Sequence, residues 1–147
     1  MEAIEVYQAF SEELSIHKVE CKRAGKELAP PPLPILMTIF GRDVVETAED
    51  YMAEVIGHIK SSELEETLLV LPLDVVTSLV EIMETLLTKK LNCEVVCRTF
   101  FFLVEIHFGP LTSAPHLKPL LNRVRILAES RLKELKDNVG FNLAALR

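Results

Sequence analysis

Residues 74–108, DVVTSLVEIMETLLTKKLNCEVVCRTFFFLVEIHF, decide the fold class of this chain. Their apolar residues recur at steps of three and four rather than two, which predicts two amphipathic α-helices, at 74–89 and 93–108. The second helix carries few charged residues, namely Glu94, Arg98 and Glu105, and these share one thin stripe. We therefore expect it to lie at the centre of a helical core. The first helix has one apolar face, formed by Val76, Leu79, Val80, Met83, Leu86 and Leu87.

The same spacing continues on both sides of this pair. An apolar stripe runs through 45–59, a short helix follows at 62–69, and a last long helix is predicted from Pro115 to Lys136. No stretch alternates apolar and polar residues as a half-buried strand would. The sequence thus predicts an all-α, solenoid-like stack of antiparallel helices.

Several residue types that start or stop helices fall between these segments. A Ser62-x-x-Glu65 spacing has the pattern of a capping box and is expected to open the short helix. Asp74 and Asn92 are predicted to cap the two helices of the central pair. Glycine and proline then predict two stops, at Gly109-Pro110 and at Gly140, the second leaving a short tail at 141–147.

Residues 1–27 are predicted to form one long helix that leads into the chain and stops at Gly25. Its apolar residues follow a heptad seam, which is narrower than the stripe of an ordinary core-facing helix. Three heptads are marginal for a free coiled coil, so we expect the seam to pack on a body or a partner. Tyr7, Phe10 and Leu14 are therefore candidate partner-interface residues.

A proline-rich stretch separates this helix from the rest. Four prolines between 30 and 34 forbid helix and predict an extended linker over 28–43, which leaves 44–147 as a helical C-terminal domain. The linker serves either as a stiff spacer or, through Pro31-x-x-Pro34, as a ligand for an SH3-type reader.

Composition and charge exclude several classes of function. With 49% hydrophobic residues the chain can form a full core, and its net charge of −6 argues against a nucleic-acid-binding surface over the whole domain. Residues 1–110 hold 9 basic and 19 acidic residues, a net of −10, whereas 111–147 hold 7 and 3, a net of +4. This basic end is either a solvated helix face or a contact for RNA or an acidic partner, through Lys118, Arg123, Arg125 and Lys133.

No set of residues matches a reactive site. Cys93 and Cys97 are four apart and His107 follows, but zinc ligands need a second pair. The glycines form no phosphate-binding loop, and no carboxylate pair accompanies a cleft signal. The start lacks the pattern of a signal peptide, and the uncharged run 99–104 is too short to span a membrane. We expect an intracellular protein that is not an enzyme, with no catalytic residue, cofactor, metal or small-molecule substrate.

Phe101 stands apart from its neighbours. Helical spacing places it between Arg98 and Glu105, on the polar side of a helix that is otherwise buried. A phenylalanine placed there is either an isolated exposed aromatic residue or part of a partner interface, and an aromatic residue ringed by charge is typical of the centre of such an interface. Phe101 is therefore a fourth candidate for contact with a partner.

Eight short strings of the chain resemble those of a known family: GKE at 25–27, PIL at 34–36, SSELEE at 61–66, LLVLP at 68–72, CEVVCR at 93–98, FFL at 101–103, IHFG at 106–109 and NVGFN at 138–142. Together they resemble the C-terminal helical domain of the WD-repeat proteins of the UtpB complex, part of the small-subunit processome, and most of all that of the Dip2 family. The resemblance implies a piece of a longer chain with two β-propellers, no catalytic residues, and a location in the nucleus and nucleolus. It implies an assembly role, with the C-terminal domains of sister WD-repeat subunits as partners within the pre-ribosomal ribonucleoprotein. An RNA-binding helical domain is the alternative.

Overall fold

The computed structural model describes residues 1–40, 47–60 and 62–145, with side chains described as far as Asn142. This part of the chain holds eight helices and no strand, which confirms the all-α prediction. Their bounds are α1 Glu2–Ala24, α2 Ile35–Thr38, α3 Ala48–His58, α4 Leu64–Leu69, α5 Leu73–Lys89, α6 Cys93–Ile106, α7 Phe108–Ser113 and α8 Lys118–Ala145.

The chain divides into two compact units, Met1–Val55 and Ile56–Arg147. In the first unit, α1 ends at Gly25, whose φ of 63° lies in the left-handed region that favours glycine, so the predicted stop is confirmed. The path after Gly25 is free of helix as far as Pro34. The predicted boundary at 43 stays a prediction, because residues 41–46 lie outside the described residues.

One turn of helix interrupts the linker that was predicted to be extended. After Pro34 there is no further proline before residue 40, and the Met37 amide donates to the Pro34 carbonyl at 3.0 Å to start α2. Met37 is 1% exposed, whereas Ile35 on the same turn is 84% exposed. Over residues 28–40, the linker therefore buries one side chain, that of Met37.

The start of α3 corrects the prediction of the capping box. Thr47 and Asp50 form the reciprocal pair: the Asp50 amide donates to Thr47 Oγ1 at 3.2 Å, and the Thr47 amide donates to Asp50 Oδ2 at 3.1 Å. At the predicted site, α4 begins after Glu63 without any side-chain cap, so the Ser62–Glu65 prediction is wrong. Val45, the first residue of the predicted stripe, lies outside the described residues.

In the second unit, α6 contacts α4, α5, α7 and α8, which confirms its predicted central place. Its buried residues include Val96, Phe100 and Leu103. All six residues of the predicted apolar face of α5 are buried, and Val124 and Ala128 of α8 are fully buried as well. The core thus forms where α5, α6 and α8 meet.

Three predicted helix ends in this unit are wrong. Asp74 is not an N-cap; α5 starts after Pro72, and Asp74 lies in its first turn, where a carboxylate favours the helix dipole. Pro110 does not stop α6, which already ends at Ile106; it lies in the first turn of α7, where a missing N–H costs nothing. Gly140 does not break α8, because one glycine costs about 1 kcal/mol, which a 28-residue helix tolerates.

Candidate functional site

The exposure of Phe101 is the first feature of the candidate site. Phe101 is 44% exposed, whereas the adjacent Phe100 is 3% exposed, and their ring centroids lie 5.7 Å apart. Val96 and Leu103 on the same helix are fully buried. The helical spacing predicted this orientation from the sequence, and it leaves one large apolar ring of the central helix facing solvent.

Phe101 lines a groove that α6, α7 and α8 form together. We name it the Phe101 groove; its cavity volume is about 290 Å³. Helix α6 and Leu121 provide its apolar lining, and α8 adds two cationic side chains. The lining residues are Phe100, Phe101, Val104, Thr112, Lys118, Leu121, Asn122 and Arg125.

Candidate residues from two separate predictions line this one groove. Phe101 was a candidate for a protein partner, and Lys118 and Arg125 were candidates for RNA or an acidic partner. Lys118 and Arg125 are seven residues apart on α8, or two turns, which places them about 10 Å apart along the axis. Helix α8 packs on α6, so both cations stand beside the exposed ring.

Arg125 is held in position by its own helix. Its Nη1 donates to Glu129 Oε1 at 2.6 Å, and its Nη2 donates to Asn122 Oδ1 at 3.1 Å. A guanidinium carries five N–H donors, so these two bonds leave further donors for a ligand. The arrangement orients the guanidinium at one end of the groove.

Arg123 and Lys133 lie elsewhere. Arg123 points to α5, where its Nε and Nη2 donate to Glu84 Oε1 and Oε2 at 2.6 and 3.2 Å. The hydrogen bond with Glu84 raises the pKa of Arg123. Lys133 is exposed on α8, two turns beyond Arg125, and does not line the groove. Two of the four basic candidates, Lys118 and Arg125, therefore line the groove, and the other two do not.

A further contact between α5 and α8 uses another basic residue of this end. Arg131 Nε donates to the Leu87 carbonyl at 3.0 Å, near the end of α5. Its Nη1 also donates to Glu134 at 2.6 Å, and Glu134 accepts from Lys90 at 3.1 Å. The bond from Lys90 and the charge of Arg131 hold the pKa of Glu134 below its usual value. The sequence analysis did not predict this cluster. The feature that could have indicated it is the basic pair at 89–90, at the end of a long helix.

The candidates on α1 differ in their burial. Phe10 is 3% exposed, and Ile4, which the predicted seam leaves out, is 7% exposed. Tyr7 and Leu14 are half-buried. Phe10 is thus a core residue of this chain, whereas Tyr7 and Leu14 retain surface that a partner could contact.

Cys97 of α6 and His107, which follows that helix, have structural contacts. Cys97 is buried, its Sγ donates to the Ala128 carbonyl at 3.8 Å, and burial, with the neighbouring Cys93, raises its pKa to about 11. Such a thiol is a poor nucleophile at neutral pH. His107 donates from Nε2 to the Leu68 carbonyl at 2.9 Å, so it joins the end of α6 to α4. Over 1–40, 47–60 and 62–145, no three His, Cys, Asp or Glu side chains come together as a metal site.

Among the helices described, none is long and apolar enough to cross a lipid bilayer. The second unit is a helical body whose groove is lined by apolar side chains and by two cationic ones.

The chain belongs to the Dip2/Utp12 family, whose sequence model matches residues 48–147. It is 40% identical over 146 residues to WD repeat-containing protein 3 of Homo sapiens, and 38% identical to the mouse protein of that name. It is also 27% identical over 154 aligned positions to U3 small nucleolar RNA-associated protein 12 of Saccharomyces cerevisiae. These alignments cover 99–100% of this chain but only 15–16% of each relative.

Proposed function

We propose that this chain is a non-enzymatic protein–protein interaction and assembly module of the small-subunit processome. Its role would be to hold subunits of the UtpB complex together and so to support pre-ribosomal RNA processing and small-subunit biogenesis in the nucleolus. Membership of the Dip2/Utp12 family supports this proposal, and so does the name of the yeast relative, U3 small nucleolar RNA-associated protein 12. The partners would be the C-terminal domains of sister WD-repeat subunits.

The Phe101 groove is the observation that carries the proposal. Singly exposed apolar residues are common on protein surfaces, but Phe101, which is 44% exposed, lies in a groove together with further apolar side chains. A partner that covers the ring removes its apolar surface from water, which contributes roughly 25 cal/mol per Å². Aromatic anchors of this kind, with polar groups around them, dominate the energy of many interfaces.

The test is a measurement of mass. The 147-residue chain is mixed with each sister WD-repeat subunit, and the mass of the product is measured by light scattering after size exclusion. A stable complex with at least one subunit is expected. If the chain elutes alone in every mixture at about 10 µM of each protein, where a Kd of 1 µM would give a large bound fraction, the proposal fails.

RNA binding is the second candidate function, and one observation favours it. Phe101 stands beside Lys118 and Arg125, and single-stranded RNA is bound by an aromatic platform together with cations. The remaining basic residues weaken this alternative, because Arg123 and Arg131 are engaged with Glu84 and Glu134. RNA binding would show itself by a steep loss of affinity with added salt.

A further inference from the structure

We propose that the Phe101 groove binds an acidic amphipathic helix, with carboxylates at positions i and i+7 and apolar residues at i+3 and i+4. This inference rests on the proposed function and names the chemistry of the partner. The apolar residues of that helix lie on Phe101, and its two carboxylates meet Lys118 and Arg125.

The size of the groove favours side chains of a protein. Its volume of about 290 Å³ lies at the lower end of the roughly 300–1,000 Å³ of small-molecule pockets. Phe101, Val104 and Leu121 provide a surface of aromatic and aliphatic groups. One or two apolar side chains fill such a space, and they need no hydrogen-bond partner there.

The spacing of the cations favours a helix. Lys118 and Arg125 are two helical turns apart, about 10 Å along α8. A partner helix laid along α8 presents residues i and i+7 at the same separation. Residues i+3 and i+4 then fall between the two charges and face Phe101.

Charge complementarity selects an acidic partner. Of the residues that the structure describes, two cations and no carboxylate line the groove, although the chain as a whole has a net charge of −6. Glu129 already binds Arg125 at 2.6 Å, so a partner carboxylate shares the Arg125 guanidinium with Glu129. Lys118, the second cation of the groove, is exposed to solvent. RNA needs a longer run of free cations than these two, because each phosphate carries a charge.

Three synthetic peptides of about 14 residues test the proposal against the 147-residue chain. They share leucines at i+3 and i+4 and differ at i and i+7, which hold Glu, Gln or Lys. We expect the Glu peptide to bind at least about tenfold more tightly than the Gln peptide, and the Lys peptide to bind still less. A fluorescent 15-mer of oligouridine is titrated in parallel.

Substitutions in the chain locate the binding. Phe101→Ala is expected to weaken the Glu peptide roughly thirtyfold, and Phe108→Ala, which removes an exposed ring outside the groove, leaves it unchanged. Lys118→Glu is expected to reverse the preference from the Glu to the Lys peptide. Lys133→Glu makes the same charge change on α8 outside the groove, and it leaves the preference unchanged. Thermal melting of each variant confirms that it is folded.

Several outcomes overturn the inference. Equal binding of the three peptides, or no binding of the Glu peptide up to about 1 mM, removes the acidic helix as the occupant. Oligouridine binding that Lys118→Glu and Lys133→Glu weaken equally assigns the surface to RNA. Because Lys118 is exposed, we expect Lys118→Glu to leave the fold intact. This variant therefore decides whether the groove binds an acidic helix even where Phe101→Ala is unstable.

The sister subunits separate this inference from the proposed function. If a complex with a sister subunit forms and its affinity is unchanged by Phe101→Ala and Lys118→Glu, binding through the Phe101 groove is contradicted. The proposed assembly role is not contradicted by that result. Binding of the Glu peptide without any complex with a sister subunit supports the groove and contradicts that role.

Discussion

Arg123 on α8 binds Glu84 on α5 through two N–H donors, with Nε–Oε1 at 2.6 Å and Nη2–Oε2 at 3.2 Å. The two residues are 39 positions apart, so this bidentate pair joins helices that only the fold brings together. The pair also occupies the guanidinium of Arg123, which is one of the candidate contacts for RNA or an acidic partner. The same helix presents Lys118 and Arg125 to the Phe101 groove on another side.

Weak binding of RNA follows from this distribution of charge. We expect the chain to bind single- or double-stranded RNA with a Kd of about 1 µM or weaker at physiological salt. Arg123→Gln, which removes a cation already bound to Glu84, should leave the affinity unchanged. The measurement is a fluorescence anisotropy titration at two salt concentrations. Tight binding that falls steeply with added salt and is lost when Arg123 and Arg125 are reversed would favour RNA binding over the assembly role.

The two adjacent phenylalanines of α6 should differ in their effect on stability. Phe100→Ala removes a buried ring and is expected to lower the free energy of unfolding by about 3–5 kcal/mol. Phe101→Ala removes a ring that is 44% exposed and should cost less than about 1 kcal/mol. Urea unfolding of both variants provides the comparison. Equal losses would place Phe101 in the intramolecular core and remove it as an interface residue.

The long first helix provides a similar pair. Phe10→Ala is expected to cost about 3 kcal/mol, because the ring is 3% exposed. Ile16→Ala on the same helix removes a side chain that is 52% exposed and serves as the control. Both are compared with the parent chain by urea unfolding followed by circular dichroism. If Phe10→Ala unfolds with an unchanged midpoint, α1 is a solvated extension.

The capping pair of α3 predicts a third contrast. Thr47→Ala removes the Oγ1 acceptor of the Asp50 amide and should destabilise the chain by about 1 kcal/mol. Ser62→Ala makes the matching change at the sequence pattern that caps no helix, and it should have almost no effect. Thermal unfolding followed by circular dichroism measures both. If Ser62→Ala lowers the stability more than Thr47→Ala does, Ser62 caps a helix and the assignment of the cap to Thr47 is contradicted.

The cysteines should differ in their reaction with iodoacetamide. A thiol with a pKa of about 11 is ionised in about one molecule per 1,000 at pH 8, against about one in ten for a thiol with the ordinary pKa of 9.0. Buried Cys97 should therefore be alkylated far more slowly than half-buried Cys21 and Cys93. Folding raises this pKa, so between about pH 9 and pH 11 the Cys97 thiol is protonated in the folded chain but ionised in the unfolded chain. The free energy of unfolding is therefore unaffected below about pH 9 and falls as the pH rises from about 9 through 11.

Mass spectrometry of peptides from a time course measures the three alkylation rates. The same course in about 8 M urea is the control, and there the three cysteines should react alike. Equal rates in the native chain would show that Cys97 is accessible and would contradict its place in the core.

The helix bodies follow from local sequence, whereas several of the helix ends do not. The apolar face of α5 and the central place of α6 were predicted because a helix repeats every 3.6 residues and buries its apolar side. Thr47-x-x-Asp50 and Ser62-x-x-Glu65 carry the same kind of pattern, yet only the first caps a helix. The cap needs a non-helical backbone at its first residue, and packing over longer distances sets that conformation.

The sequence by itself determined an all-α chain, an apolar central helix and the outward direction of Phe101, because these depend on residues within a few positions of one another. Only the tertiary structure decided what stands beside that ring. Lys118 and Arg125 follow Phe101 by 17 and 24 positions, and α7 lies between, so their meeting depends on how α8 packs on α6. The same packing turns Arg123 to Glu84. Packing of this kind buries apolar faces from distant parts of the chain at once, and no local pattern records which faces meet.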